Sequence, residues 1–307
     1  MVRYEGTLLI LGGTGFIGKY FAKKAVERGY DVSIISLHGP NSTNAIEGAK
    51  YYQVDISNYK EIEKKLPINK YEYVVNLAGY GDHSAYLDGG KKTIDSHCSG
   101  VINLINFLDW GILKNFIQIG SSHEYGECPA PQNEMMREQP CSPYSFGKVS
   151  INHFLQMLGR TEKFPSVILR LFQVYGPGQG GNKFIPIIIN GCLNNEKFDT
   201  THGYQLRDFC HIDDIAKGIF CALLSRNLFG EIINLASGKP VEIKYVINLI
   251  KNLAAGGRPQ FGQVPYRSFE NLALYADVTK SKKILLWTPI INLEDGIKDL
   301  INEKVSK

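Results

Sequence analysis

A short apolar run, Thr7–Leu11, enters Gly12-Gly13-Thr14-Gly15-Phe16-Ile17-Gly18, and an amphipathic stretch opens directly after it. This order, strand then glycine-rich turn then helix, leaves a chain few ways to fold. The glycines at 12, 15 and 18 have separate tasks: one permits a tight turn, one lets main-chain amides approach a phosphate, and one lets the helix pack closely on the strand. The helix N-terminus then presents unpaired N–H groups and the positive end of its dipole. In this setting the spacing predicts a dinucleotide cradle with contacts from Gly12, Thr14, Gly15, Phe16, Ile17 and Gly18.

The pattern repeats in looser form. Strands are predicted at Thr7–Leu11, Val32–Ser36, Tyr51–Val54, Tyr73–Leu77, Phe116–Gly120 and Ser166–Phe172, with helices near 16–28, 58–66, 91–110 and 144–160. Continuous apolar strands alternating with helices indicate a parallel sheet covered on both faces. The expected fold class is α/β: a doubly wound parallel Rossmann sheet over 1–173 with a smaller C-terminal α/β substrate domain over 174–307. A returning strand near 231–236 is expected to extend the sheet.

The 307 residues, 44% hydrophobic and 21% charged, suffice for a sizeable core. The net charge of +4 comes without a Lys/Arg run, so nothing points to a nucleic-acid partner. Cysteines at 98, 128, 141, 192, 210 and 221 form neither C-x-x-C pairs nor a zinc pattern, which sets the expectation of no metal and a reducing, cytoplasmic compartment. No apolar stretch approaches the roughly 18 residues of a membrane span, and the first residues show no leader pattern.

The second strand selects among dinucleotides. An acid at its end would hold the adenosine ribose hydroxyls, but Ser36 stands there, with His38 close by. Losing the carboxylate removes repulsion against a 2′-phosphate, so NADP is the expected cofactor and NAD the alternative. Asp55-Ile56, after the third strand, is placed to meet adenine, and Asn76-Leu77-Ala78-Gly79, after the fourth, to pass under the adjoining ribose.

Chemistry enters with Pro143-Tyr144-Ser145-Phe146-Gly147-Lys148. Tyr144 and Lys148 lie four apart on a predicted helix and share a face. An ammonium nearby favours phenolate, lowering the tyrosine pKa toward working pH. Ser121, at a strand end, is placed to bind the same substrate oxygen.

Together, Gly12–Gly18, Asn76–Gly79, Ser121–Gly126, Tyr144–Lys148, Leu169–Pro177, Gln205–Asp214 and Ala276–Pro289 resemble the extended short-chain dehydrogenase/reductases, specifically their nucleotide-sugar-modifying branch. The resemblance covers essentially the whole chain. It implies that Tyr144 is the general acid/base, that Lys148 lowers the tyrosine pKa and binds the nicotinamide ribose, and that Ser121 orients the reacting oxygen. It also implies a homodimer through the helices near 91–110 and 144–160.

Departures from the family pattern narrow the reaction. Dehydratases of this branch carry Thr-Asp-Glu where Ser121-Ser122-His123 stand, and Glu124 is one position late, so dehydration is not expected. Ser122 and His123 remain candidate auxiliaries. So does His97, where the family usually has Asn, with a proton relay or a structural role both open. At the substrate end, the resemblance makes Arg207 the grip on a diphosphate and places Arg267 and Glu270 in a second nucleotide-contacting stretch. Lys183 and Phe184 are expected to begin a helix beneath the nucleotide and Phe198 to stack on its base, with core packing the open alternative for these assignments. Gln173 replaces the usual Asn, and His211-Ile212-Asp213-Asp214 reads as structural. The expected activity is NADP-dependent reduction of a 4-keto-6-deoxy nucleoside-diphosphate sugar, with an NAD-dependent 4-epimerase or C4 dehydrogenase as the alternative. A non-catalytic module on the same fold is the remaining, least favoured option.

Overall fold

A computed structural model of the chain describes residues 6–40, 45–67, 71–79, 84–266 and 270–306. It divides into two compact units, one of residues 1–125, 138–170 and 219–233, the other of 126–137, 171–218 and 234–307. The expected division lies at 173/174 with a returning strand near 231–236; in the structure the chain changes unit after residues 125, 137, 170, 218 and 233.

The first unit is built on β1 (Thr7–Leu11), α1 (Phe16–Glu27), β2 (Asp31–Ser36), β3 (Ala49–Gln53), α2 (Tyr59–Lys65), β4 (Tyr73–Asn76), α3 (Gly90–Phe107), β5 (Asn115–Ser121), α4 (Pro143–Glu162) and β6 (Ser166–Leu171). In the second unit follow β7 (Gln173–Tyr175), α5 (Phe184–Leu193), β8 (Lys197–Thr200) and β9 (Leu206–His211), and α6 (Ile212–Leu224) then carries the chain back to the first. The remaining elements are β10 (Glu231–Leu235), β11 (Pro240–Glu242), α7 (Ile243–Leu253), β12 (Arg258–Phe261), β13 (Ala273–Leu274), α8 (Thr279–Ile284) and α9 (Leu293–Val305). Among the described residues no helix is long and apolar enough to cross a membrane.

The central sheet is parallel and seven-stranded, in the order β10-β6-β5-β4-β1-β2-β3. It is the doubly wound arrangement expected, and β10 is the returning strand. Leu8 to Leu11 are fully buried, as a strand covered on both faces must be. β1 pairs Leu9 with Ser33 on one side and with Val74 on the other. The core of this unit gathers Leu9, Leu11, Val74, Leu104, Phe116, Ile151, Leu155 and Ile168. Each such side chain contributes about 1.5–3 kcal/mol by leaving water.

Two predicted elements end early, for local reasons. α3 stops at Phe107 rather than 110: the Asp109 carboxylate accepts the Gly111 N–H at 2.9 Å, and the Trp110 indole donates back to the Ile105 carbonyl at 3.0 Å. The apolar run from Ser166 is divided at Phe172, and its second part, β7, pairs in parallel with β9.

In the second unit β9 is the shared strand. β7 and β13 run parallel to it and β11 antiparallel, while β8 and β12 form a separate parallel pair. Ile188, Ile189, Val246, Ile247, Ile250, Ile297 and Ile301 from α5, α7 and α9 supply its core. Asp208, fully buried on β9, accepts hydrogen bonds from the amides of Ser237, Gly238 and Ala276 and from the Ser237 hydroxyl at 2.6 Å. Asp214 caps the segment before α9 through the amides of Ile290 and Ile291. Both acids hold loops in place.

Candidate active site

The glycine turn has the geometry its spacing predicts. Gly12 sits at φ +71°, a conformation L side chains rarely adopt, and its amide donates to the Ile35 carbonyl at 2.9 Å. A Cβ on Gly18 would overlap the Gly12 carbonyl oxygen, so the helix approaches the turn as closely as backbone allows. α1 begins after Gly15 with no side-chain cap and no acid in its first turn, leaving its N-terminal amides and dipole for an anion. Thr14, Phe16 and Ile17 surround this opening, half-buried. These features fit the pyrophosphate of a dinucleotide.

At the end of β2 the Ser36 hydroxyl donates to the His38 carbonyl at 2.6 Å. Lys50 and Lys65, the lysines bonded to β2 and β3, are committed to Asp31 and Glu61. The Asp55 carboxylate accepts from the amide and hydroxyl of Ser57, so this acid shapes its own turn while the half-buried Ile56 packs on the core. Leu77 and Ala78 leave β4 with their amides bonded to the Leu11 carbonyl and the Asn76 side chain, and Gly79 follows, exposed.

Ser142 and Ser145 form a reciprocal capping box around Pro143 at the first helical position of α4. Such a cap contributes about 1 kcal/mol. It also sets Tyr144 firmly in the first turn, with Lys148 one turn on. Ser121 acts on the Tyr144 phenol as a neighbouring hydrogen-bonding group, and the Ser121 hydroxyl accepts from the His123 amide at 3.2 Å. Lys148, buried, donates to the Ile119 carbonyl at 2.7 Å, with its Nζ 6.0 Å from the Tyr144 ring centroid. Ser121, Tyr144 and Lys148 therefore gather where the end of β5 meets the first turns of α4.

Electrostatics depart from expectation. Burial pushes the Tyr144 phenol up, with the Ser121 bond acting against it. Burial pulls Lys148 down to about 8, opposed by the Glu124 carboxylate. In the protein alone, removing water from the phenolate outweighs the help it receives from Ser121.

The auxiliary candidates separate. His97, buried on α3, meets the Tyr144 ring edge-on at 5.4 Å between centroids. His123 is exposed and lies 6.3 Å from the same ring, while Ser122 is buried. Sequence reasoning missed Asn152, which continues the spacing of four through Tyr144 and Lys148 and donates to Glu124 at 2.7 Å. That spacing was the signal available.

In the second unit, Arg207 forms an ion pair with Glu270, and its Nη1 bonds the Leu206 carbonyl at 2.8 Å. Two of the expected nucleotide contacts are therefore held together; the third, Arg267, lies outside the described residues. Lys183 is exposed at the N-cap of α5. Phe184 stacks on Phe209 at 6.0 Å, and the Phe198 ring lies over Gly191, so both serve the packing of this unit. Gln173, half-buried, pairs with Phe209 across β7 and β9. Among the described residues no group of His, Cys, Asp and Glu has the geometry to hold a metal.

Comparison with known proteins agrees with this geometry. The family model of the NAD dependent epimerase/dehydratase family matches residues 8–236. A UDP-glucuronate 4-epimerase of Thermodesulfobacterium geofontis is 28% identical over 97% of this chain and 95% of its own length. A dTDP-4-dehydro-6-deoxyglucose reductase of Escherichia coli is 26% identical, covering 96% of each. In fold, the crystal structure of UDP-glucose 4-epimerase with UDP-glucose from Thermotoga maritima superposes with a TM-score of 0.87 at 24% identity, over 98% of this chain and 100% of that one. With the glycine turn, the Ser121–Tyr144–Lys148 group and the matching model together, the chain belongs to the NAD-dependent epimerase/dehydratase family, whose members act on nucleotide sugars.

Proposed function

We propose that the protein is an NAD-dependent nucleotide-sugar 4-epimerase. The observation that supports this reading is Ser121 acting on the Tyr144 phenol beside buried Lys148, an arrangement suited to an acid/base and an orienting hydroxyl sharing one substrate oxygen. When bound, NAD supplies reversible hydride acceptance at the sugar C4. Tyr144 takes the proton of the C4 hydroxyl as that carbon is oxidised, Ser121 holds the oxygen, and Lys148 offers its ammonium to the cofactor ribose. The Gly12–Gly18 turn and Lys148 hold the NAD that takes up and returns the hydride, while Tyr144 gives the proton back to the oxygen, so that inversion at C4 leaves no net redox change. Arg207 holds the diphosphate by its planar fork, in exchange for part of its pairing with Glu270.

NAD is favoured over NADP, against the expectation drawn from Ser36, because the Ser36 hydroxyl is spent on the His38 carbonyl and Lys50 and Lys65 are paired with acids. Relatives named as 4-epimerases at 28% and 29% identity support the epimerase reading, and the matching family is NAD dependent. The reductase is the second reading, favoured by the missing acid at Ser36 and by the Escherichia coli relative. A homodimer through α3 and α4 belongs to the proposal, supported by exposed Phe146 and Met157 on α4, and sedimentation velocity tests it.

The deciding experiment incubates purified protein and NAD with UDP-glucose or UDP-glucuronate and follows C4 inversion by proton NMR. Inversion without accumulating NADH is expected. Stoichiometric NADPH consumption on a 4-keto-6-deoxy nucleotide sugar, with no inversion, overturns the epimerase in favour of the reductase.

A further inference from the structure

The end of β5 is clamped from two directions. Lys148 donates to the Ile119 carbonyl at 2.7 Å, and two residues on, the Ser121 amide donates to Glu124 Oε1 at 2.7 Å. Glu124 and Arg170 are both fully buried. The other carboxylate oxygen, Oε2, accepts from Arg170 Nε at 2.6 Å and from Asn152 at 2.7 Å. Arg170 in turn donates to Glu138 at 2.5 Å and lies over the Tyr125 ring at 4.5 Å. Gly120 makes room: a Cβ there would stand 2.6 Å from Glu124 Oε1.

Tyr144, Lys148 and Asn152 form one stripe of α4, spaced by four. Its first member is acted on by Ser121, its second bonds Ile119, and its third bonds the carboxylate that holds the Ser121 amide. Glu124 thereby joins the strand end to the helix face that carries the acid/base.

We propose that Glu124 is a positioning residue of the reacting group, its buried carboxylate holding the Ser121 amide and setting a fixed negative charge behind Tyr144 and Lys148. The assignment rests on the reading of Ser121, Tyr144 and Lys148 as that group. The charge opposes phenolate formation at Tyr144 and favours the ammonium of Lys148, the direction in which Glu124 acts on both. The groups around it are Arg170 on β6, Lys148, Tyr144 and Asn152 on α4, His123 and Tyr125 on its own turn, and Glu138, paired with Arg170 and 3.3 Å from His153.

The test needs no sugar substrate. The full chain carries tyrosine labelled with carbon-13 at Cζ, whose chemical shift reports phenol ionisation, and the Tyr144 resonance is assigned by its loss in Tyr144→Phe. Glu124→Gln is expected to titrate Tyr144 at lower pH than the wild type, while Glu138→Gln, which also removes a partner of Arg170, leaves it in place. A Glu124→Gln titration identical to wild type, or an equal displacement in Glu138→Gln, overturns the proposal. Glu124→Asp keeps the charge but shortens the reach, and covers the case in which the glutamine variant does not fold. Its Ser121 amide is expected to exchange with solvent at least roughly tenfold faster, and unchanged exchange overturns the positioning role. Failure of sugar inversion leaves these readings intact, so the two proposals fail separately.

Discussion

Lys148 donates its ammonium to the Ile119 carbonyl at 2.7 Å while standing 6.0 Å from the centroid of the Tyr144 ring. One bond thus ties α4 to the end of β5 and brings the ammonium beside the phenol. The cost is desolvation of a cation, visible in its lowered pKa.

The first prediction follows from that cation. With its pKa lowered from 10.5 to about 8, Lys148 loses its proton as pH rises through about 8, and turnover falls with it. Stability moves the other way. Between about 8 and 10.5 the folded chain binds fewer protons at this site than the unfolded chain, so this group adds stability as pH rises across that window. Parallel pH series of turnover and of thermal midpoint check the divergence; in Lys148→Met the stability increment from this group disappears.

Tyr144→Phe removes the acid/base and keeps the ring that meets His97 at 5.4 Å. Turnover is expected to drop by roughly 10²–10⁴, with NAD affinity nearly unchanged. Steady-state kinetics and calorimetric NAD titration measure the two effects; a variant with wild-type turnover removes Tyr144 from the mechanism.

Gly18→Ala forces a methyl onto the Gly12 carbonyl oxygen, where only backbone can yield. It is expected to cost roughly 1–3 kcal/mol of stability by overpacking and to weaken NAD binding by displacing the turn. Gly39→Ala is the control, since its Cβ meets nothing nearer than Gln53 at 3.9 Å. Urea unfolding and NAD titration of both variants distinguish a local clash from a general intolerance of the unit.

Asp208→Ala leaves the amides of Ser237, Gly238 and Ala276 without their acceptor. The expected loss is at least about 1–3 kcal/mol, with Asp208→Asn losing less because it keeps one oxygen. Denaturant unfolding of the pair orders them, and equal stabilities would contradict the anchoring role.

Much of the first unit was legible because its signals are local. Thr7–Leu11 was read to the residue, since an apolar run ending in glycine needs no distant partner to declare itself. The spacing of Tyr144 from Lys148 is likewise written in nearby residues, whereas the Ser142–Ser145 cap that fixes their helix came from the structure. Phe184 and Phe198 were harder. An aromatic side chain reads alike whether it faces a ligand or a core, and here Phe209 and Gly191 claim them.

The sequence by itself determined the parallel α/β sheet, the glycine turn and the helix that carries Tyr144 and Lys148, because periodicity, turn chemistry and capping act over a few residues. Only the tertiary structure decided what stands behind them. Glu124 meets Arg170 46 positions away and Asn152 28 positions away. A charged residue reads as surface until folding supplies partners that offset its desolvation, and that supply depends on packing between distant segments.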